Sequence, residues 1–229
     1  MSKKYQEKVK AVDLTKQYSP AEALAKVKET AWAKFDESVD LAIKLNVQMK
    51  KGGDSIRGTI SLPGGIGKAV KVGVIAKGEK IKEAEDAQAE VVGSEDLVEK
   101  IKGGFLGFDV LIATPDMMAS VGKLGKILGT KGLMPNPKSG TVTFDIGKVV
   151  KEFKAGKLEF RADKGGVVHL LIGKVKFEKE ALLNNLNTAL EAVKKTKPSS
   201  VKGNYIKSIT VSSTMGPGIK VDPSVYLGT

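Results

Sequence analysis

The segment Thr214–Gly218, with the sequence TMGPG, combines groups that can contact a ligand: a hydroxyl, a polarizable thioether and two glycines that expose the backbone. It follows an alternating run of apolar and polar residues, so these groups are expected together at the end of a strand. An ordinary turn explains the same residues, because glycine and proline favour turns without any ligand. Spacing alone therefore favours a turn over a binding site.

A second glycine-rich segment, GGIGK at residues 64–68, resembles part of a phosphate-binding loop. That motif needs a glycine where Leu62 stands and a serine or threonine where Ala69 stands, and both conditions fail. No G-x-G-x-x-G follows the strand-like run that begins at Val70, which disfavours a dinucleotide site as well. The glycines favour a hinge between domains, and no nucleotide cofactor is expected.

Candidate catalytic and metal-binding residues are sparse. The chain has no cysteine, which excludes disulfides, thiol nucleophiles and cysteine-ligated metals. His169 is the single histidine, and one histidine on a strand favours packing or hydrogen bonding over metal binding. Carboxylates in the helix-like segment 79–86 alternate with lysines, as is typical of a solvated helix face. We therefore expect no catalytic residue, no metal site, no cofactor and no enzymatic activity.

The net charge favours a polyanionic partner. The 38 lysines and arginines exceed the 26 aspartates and glutamates, which gives a formal charge of +12. A positive field of this kind attracts nucleic acid or an acidic membrane surface, although a basic composition without a specific partner fits the same numbers. No stretch approaches the roughly 18 consecutive apolar residues that a membrane span needs. Nucleic acid is the favoured partner class, and no membrane partner is expected.

The first part of the chain predicts a helix followed by antiparallel strands. Residues Ser19–Glu22 (SPAE) have the spacing of a capping box, which predicts a helix start. From Val39 to Val47 apolar and polar residues alternate, as in a strand with one buried face. A turn at 51–54 and a strand-like run at 56–62 would complete a hairpin with this strand.

A different pattern begins near residue 68. Apolar strand-like runs, of which Val70–Ala76 is the first, alternate with helix-length segments, as in parallel α/β units. The stretch Gly122–Gly140 is rich in glycine, lysine and proline. We expect a surface loop there, in which only residues 123–128 are helical.

Antiparallel patterning returns after residue 157, with a long helix near 178–195 and an alternating strand at 205–213. We therefore predict a mixed α/β and α+β protein of two domains. Residues 1–67 and 158–229 would form a discontinuous α+β domain with an antiparallel sheet that carries both termini. Residues 68–157 would form an inserted, Rossmann-like three-layer α/β domain. The predicted hinge residues are Gly65, Gly67 and Lys157.

Charge is divided unequally between the two predicted domains. Residues 68–157 contain 15 basic and 12 acidic side chains, a net charge of +3 that leaves +9 of the total +12 for the discontinuous domain. Lysine and arginine provide most contacts to phosphate groups. We therefore expect the main nucleic-acid surface on the discontinuous domain.

Four segments of the chain resemble a known family of ribosomal proteins. They are KFDESVDLAIKL at 34–45, FDVLIATPDMM at 108–118, GKLGKILGTKGLMPNPKSGTVT at 122–143 and TMGPG at 214–218. In this order they resemble the bacterial type of ribosomal protein L-one, and the resemblance runs from about residue 8 to residue 221. The chain departs from the usual family sequence at Thr130, where proline is common, and at Gly64, where histidine is common.

The resemblance implies a structural component of the large ribosomal subunit that is not an enzyme. Members of the family bind a stem-loop junction of 23S rRNA and form the mobile stalk next to the E site, where they assist release of deacylated tRNA. In bacteria they can also bind the leader of their own mRNA and repress its translation. The resemblance therefore implies a cytoplasmic, ribosome-bound protein whose partners are the 23S rRNA stalk region, E-site tRNA and its own mRNA leader.

The resemblance also implies candidate binding residues. The principal RNA-binding residues would be Lys34, Phe35, Asp36, Ser208, Thr214, Met215 and Gly216. The phenyl ring and the thioether suit ribose or base faces, the hydroxyls suit 2′-hydroxyl groups, and the glycine would let RNA approach the backbone. Two roles are open for Arg161, Lys164 and His169: supporting contacts with RNA, or a structural role. Two interpretations are likewise open for Lys123, Lys126 and Lys131: secondary contacts with RNA and tRNA, or a solvated loop.

Overall fold

The computed structural model of the chain describes residues 3–47, 56–198, 201 and 203–227. The predicted turn at 51–54 lies outside these residues. The chain forms two compact units, termed here the discontinuous unit (Met1–Gly67 with Leu158–Thr229) and the inserted unit (Lys68–Lys157). That each unit folds as an independent domain remains a prediction.

The helices and strands follow one another in three blocks. The discontinuous unit begins with α1 (Lys3–Lys10), α2 (Pro20–Thr30), β1 (Ser38–Leu45) and β2 (Arg57–Ser61). The inserted unit contains β3 (Val72–Ile75), α3 (Glu79–Asp86), β4 (Val91–Gly93), α4 (Glu95–Lys102), β5 (Val110–Ala113), α5 (Met118–Gly122), α6 (Gly125–Lys131) and α7 (Ile146–Lys154), with short 3-10 helices at Pro115–Met117 and Pro137–Ser139. The remainder comprises β6 (Lys157–Arg161), β7 (Val167–Lys174), α8 (Lys179–Lys195), β8 (Ile206–Ser213), β9 (Ile219–Val221) and α9 (Ser224–Leu227).

The predicted capping box at the start of α2 is confirmed. Ser19 Oγ accepts a hydrogen bond from the Glu22 N–H at 3.4 Å, and Glu22 Oε2 accepts one from the Ser19 N–H at 3.2 Å. These bonds satisfy two N–H groups that have no partner inside the helix. Leu24 and Val27 are then buried, so α2 packs against the unit through one face.

A four-stranded antiparallel sheet, in the order β7-β1-β8-β9, is the framework of the discontinuous unit. The predicted alternation in β1 is confirmed, because Val39, Leu41, Ile43 and Leu45 are all buried. Helices α2 and α8 pack on this buried side of the sheet. The opposite side is termed the open face, since its residues are at least partly exposed: Asp40, Ala42, Lys44, Val167, His169, Leu171, Ser208, Thr210 and Ser212.

The predicted hairpin between β1 and β2 is wrong. Strand β1 lies between β7 and β8, while β2 pairs with β6 in a separate two-stranded sheet. Both edges of β1 are occupied by eight-residue strands from the C-terminal part of the chain. The small sheet is held by Phe160, whose buried ring packs so closely on Gly58 that a Cβ there would lie 2.6 Å from it.

The inserted unit contains a three-stranded parallel sheet in the order β4-β3-β5. All four residues of β3 are buried, as expected for a central strand covered on both faces. One apolar cluster joins β3 and β5 to α3 and α7, and the other joins them to α4, α5 and α6. The inserted unit therefore has helices on both sides of its sheet, which is the three-layer arrangement that the sequence predicts.

The glycine-rich stretch 122–140 is more regular than predicted. Helix α6 extends to Lys131, beyond the predicted helical piece, and a 3-10 helix follows at Pro137–Ser139. Leu124 and Leu128 are buried in the core of the unit. Because these leucines anchor one side of the segment, the helix persists despite its glycines.

Candidate nucleic-acid interface

Two distant segments of the chain meet where β1 begins and β8 ends. The strands are antiparallel and Val39 lies opposite Ser213, so the residues before β1 are neighbours of those after β8. This arrangement brings together six of the predicted RNA-binding residues, which are termed the strand-end patch: Lys34, Phe35, Asp36, Thr214, Met215 and Gly216.

Glu37 holds the two segments of the strand-end patch together. Its side chain is buried, and Oε1 accepts hydrogen bonds from the N–H groups of Ala33 at 2.7 Å and Trp32 at 2.8 Å. Its Oε2 accepts a bond from the Met215 N–H at 3.0 Å. Burial alone would raise the pKa of Glu37, but the N–H donors of Ala33 and Met215 outweigh it, and the pKa lies below its ordinary value. The carboxylate is therefore charged at neutral pH and serves as a structural clamp.

Further hydrogen bonds fix the register of the two segments. The Thr214 N–H donates to Ser38 O at 3.0 Å, and the Ser38 N–H donates to Thr214 Oγ1 at 2.9 Å. Trp32 Nε1 donates to Met215 O at 3.3 Å, and Lys174 Nζ donates to Ser38 Oγ at 2.9 Å. Sequence reasoning did not identify these supporting residues. Only Glu37 could have been identified from the sequence. It lies two residues before Val39, so the alternating strand pattern places both side chains on the buried face.

The strand-end patch exposes apolar side chains that the fold does not cover. Phe35 is 57% exposed and Met215 is 44% exposed, and both belong to a small set of large hydrophobic residues in solvent. Lys34 is also exposed and has no ion pair within the described parts of the chain. An aromatic ring, a thioether and a free cation on a rigid support form a surface suited to RNA bases, riboses and phosphates.

Two residues of the patch have internal structural roles. A Cβ atom on Gly216 would lie 2.5 Å from Ser213 Oγ, so any other residue there would have to displace that hydroxyl. The Thr214 hydroxyl accepts the Ser38 N–H, which leaves it one remaining acceptor position. Contacts of either residue with RNA remain predictions.

The other predicted residues of this unit lie farther along the sheet. Ser208 is opposite Lys44 near the end of β1, and His169 is opposite Ala42 at its middle. Arg161 is at the end of β6, and Lys164 lies in the turn between β6 and β7. Strand β1 has eight residues, and at about 3.3 Å per residue such a strand spans roughly 25 Å. The ten predicted residues therefore form an elongated surface instead of one cluster.

The β6–β7 turn is ordered by Asp163, which also lies near His169. Asp163 Oδ1 accepts the Val167 N–H at 2.7 Å, and this donor lowers the pKa of the Asp163 carboxyl. Asp163 Oδ2 lies 3.9 Å from His169 Nε2, and the imidazole is 68% exposed. Gly166 adopts a φ of +72° in the turn, and its carbonyl accepts the Leu45 N–H at 2.8 Å. The turn thus fixes Lys164 beside the far end of β1.

The lysines predicted for the inserted unit lie just after α5 and along α6. Lys123, Lys126 and Lys131 are exposed. On the same segment, a Cβ atom added at Gly122, Gly125 or Gly129 would have no neighbouring atom within 4 Å. Glycine in a helix costs about 1 kcal/mol relative to alanine, and no contact within the described chain requires it here.

The predicted hinge residues follow fixed local paths. Gly65 and Gly67 have φ angles of +67° and +72°, which favour glycine. The buried Asn185 accepts the Gly64 N–H at 3.0 Å and donates to Gly65 O at 3.1 Å, which attaches this crossing to α8. Lys157 Nζ pairs with Glu152 at 2.8 Å within the inserted unit. Hinge motion at these residues remains a prediction.

The described residues form neither a metal site nor a membrane-spanning helix. Among residues 3–47, 56–198 and the described remainder, no group of three or more histidine or acidic side chains is arranged to hold a metal ion. In the same part of the chain, no helix is long and apolar enough to cross a membrane.

The fold and the candidate site describe a basic α/β protein with an elongated surface that carries an exposed aromatic ring and an exposed thioether. The sequence model of the Ribosomal protein L1p/L10e family matches residues 27–217, and the chain therefore belongs to this family. Family membership makes it a structural, non-enzymatic protein that binds rRNA in the large ribosomal subunit, associated with ribosomes in the cytoplasm. The predicted family resemblance is confirmed.

Proposed function

We propose that this chain binds the stalk region of 23S rRNA through the strand-end patch and the open face, and that it forms the mobile stalk next to the E site. In this role it would assist the release of deacylated tRNA. The observation that carries the proposal is the pair of exposed apolar side chains, Phe35 and Met215, held on a rigid support by the buried Glu37. Exposed apolar groups on a chain with a net charge of +12 favour a shaped nucleic-acid contact over simple charge attraction.

The elongated surface supports RNA binding along β1. At one end the RNA would meet Phe35, Met215 and Lys34, and at the other it would meet Arg161 and Lys164. Between these ends the open face offers a row of hydroxyls on β8, namely Ser208, Thr210 and Ser212. Hydroxyl groups on a flat strand surface are suited to 2′-hydroxyls in the shallow minor groove of RNA, while the cations at both ends meet phosphates.

The absence of cysteine from the sequence makes this function directly testable, since one introduced cysteine can carry a probe that cleaves nearby RNA. A probe beside the open face should cleave the 23S stem-loop, and a probe on the far side of the unit should not. The same pattern is expected on the leader of the chain's own mRNA. We propose that the leader binds the same surface, because a repressor that reads an rRNA-like fold needs no second site.

The glycines and lysines of α5 and α6 support a secondary contact with rRNA or E-site tRNA. Replacing Gly129 with alanine is expected to raise the free energy of unfolding of the inserted unit by up to about 1 kcal/mol, because alanine is the better helix former. If a nucleic-acid backbone approaches this face closely, the added methyl group should weaken binding to deacylated tRNA several-fold. Denaturation and tRNA titration of the same variant measure both effects. A stabilised variant with unchanged tRNA affinity would remove this contact from the proposal.

A further inference from the structure

A cavity of about 300 Å³ lies beside Phe35 in the discontinuous unit. It is formed by the residues that precede β1 and by those that join β7 to α8, and it is termed here the Phe35 cavity. Small-molecule sites have volumes from about 300 Å³ upwards. The Phe35 cavity therefore has room for one small group, such as a single nucleotide.

The charges around the Phe35 cavity favour an anion, because its lining lysines (Lys28, Lys34 and Lys176) outnumber its carboxylates (Asp36 and Glu37). Lys34 and Lys176 line it, are exposed, and form no ion pair within the described parts of the chain. Glu37 also lines it, but its two oxygens already accept three backbone N–H groups. Its negative charge is thus compensated internally, and the two lysines remain available to a phosphate.

The remaining lining favours a nucleobase. Phe35 lines the cavity and is more than half exposed, and Val175 contributes a further apolar wall. Asp36 also lines the cavity, and its Oδ1 is buried without a hydrogen-bond donor from the described residues. Such an oxygen favours a ligand that brings an N–H group, as nucleobases do.

We propose that the Phe35 cavity receives one unstacked nucleotide of the bound RNA. Its base lies on the ring of Phe35, an N–H group of the base donates to Asp36, and its phosphate lies beside Lys34 and Lys176. The inference rests on the proposed RNA-binding function and adds to it the recognition of an unpaired position. A nucleotide in a continuous helix would first have to leave its stack, so an unpaired residue at the stem-loop junction is the favoured occupant.

The test is a double-mutant cycle between the protein and its RNA, using the full chain and the 23S stem-loop. Each unpaired nucleotide of the junction is replaced in turn by an abasic residue, and affinity is measured for the natural chain and for Phe35→Ala. At one position the abasic change should weaken binding to the natural chain about tenfold, as expected for loss of one base–aromatic stack. The same change should barely affect Phe35→Ala, since the base has already lost its partner.

Lys176→Ala tests the phosphate part of the proposal, with Lys179→Ala as the matched control for loss of one exposed charge nearby. Lys176→Ala should weaken binding several-fold more than the control, and equal effects would contradict a phosphate beside Lys176. If Phe35→Ala and every abasic change are additive, the nucleotide-binding cavity is wrong while the proposed RNA-binding function stands. If the natural chain does not distinguish the stem-loop from unrelated duplex RNA, the proposed function itself fails.

Discussion

Replacing Glu37 with alanine is expected to lower the free energy of unfolding by about 3 kcal/mol or more and to abolish specific RNA binding. The change removes three hydrogen bonds from the N–H groups of Trp32, Ala33 and Met215 to a carboxylate, and a hydrogen bond to a charged group contributes about 1.5–3 kcal/mol. Because both segments of the strand-end patch lose their common anchor, Phe35 and Met215 would no longer be held in one surface. Trp32 is the single tryptophan of the chain, so its fluorescence during urea denaturation reports on this region directly.

The pH dependence of this effect follows from the sign of the pKa shift. The pKa of Glu37 is lowered in the folded chain relative to an ordinary value of 4.5. Its stabilising contribution is therefore complete above pH 4.5 and is lost as the pH falls through the lower folded value. The difference in stability between the natural chain and Glu37→Ala should shrink accordingly in acid. Glu159→Ala, which removes an exposed carboxylate in the same unit, is the control. If both variants unfold alike at neutral pH, the clamp role of Glu37 is wrong.

Replacing both Phe35 and Met215 with alanine is expected to weaken binding to the 23S stem-loop by about 100-fold. Loss of the Phe35 ring removes a base–aromatic stack worth about 1–3 kcal/mol, and loss of the Met215 side chain removes an apolar contact whose burial contributes about 1.5–3 kcal/mol. The slope of log affinity against log salt concentration should stay unchanged, because that slope counts neutralised phosphates and no charge is removed. Both side chains are exposed, so the variant should unfold like the natural chain.

Two variants separate this effect from its alternatives. Lys34→Ala removes one cation and should reduce the salt slope by about 1 with a smaller loss of affinity. Phe105→Ala removes an aromatic ring that is 44% exposed but lies in the inserted unit, and it should leave affinity unchanged. Equal affinities of the double variant and the natural chain would show that attraction to phosphates, not a shaped surface, dominates binding.

Local patterns in the sequence predicted much of the fold. Alternation identified β1 and its buried side chains, and the capping box at Ser19 identified the start of α2. Each of these signals is formed by residues that lie within a few positions of one another in the sequence. Pairing partners carry no such local signal. Strand β1 pairs with β7 and β8, which lie more than 100 residues away in the sequence, and the nearer β2 joins β6 instead.

The candidate site was predicted less completely than the fold. Family resemblance indicated Phe35 and Met215, which are separated by 179 intervening residues in the chain, and spacing alone favoured a simple turn at TMGPG. The supporting bonds of Trp32, Ser38 and Lys174 depend on how antiparallel strands place their ends together, and no local pattern encodes that placement. Leu124 and Leu128 likewise make α6 more regular than its glycines predict, because burial outweighs helix propensity.

The most direct test of RNA binding across the open face is cleavage of the RNA from a single tethered probe. Lys220 is exposed on β9 and pairs with Thr210, so a cysteine at position 220 would place an iron-chelate probe at the edge of the open face. Asn184 is exposed on α8, the helix that packs on the opposite side of the sheet, and a cysteine there is the matched control. We expect hydroxyl radicals from Lys220→Cys to cleave the 23S stem-loop at its junction and those from Asn184→Cys to leave it intact. Junction cleavage from Asn184→Cys, with none from Lys220→Cys, would contradict the proposed interface.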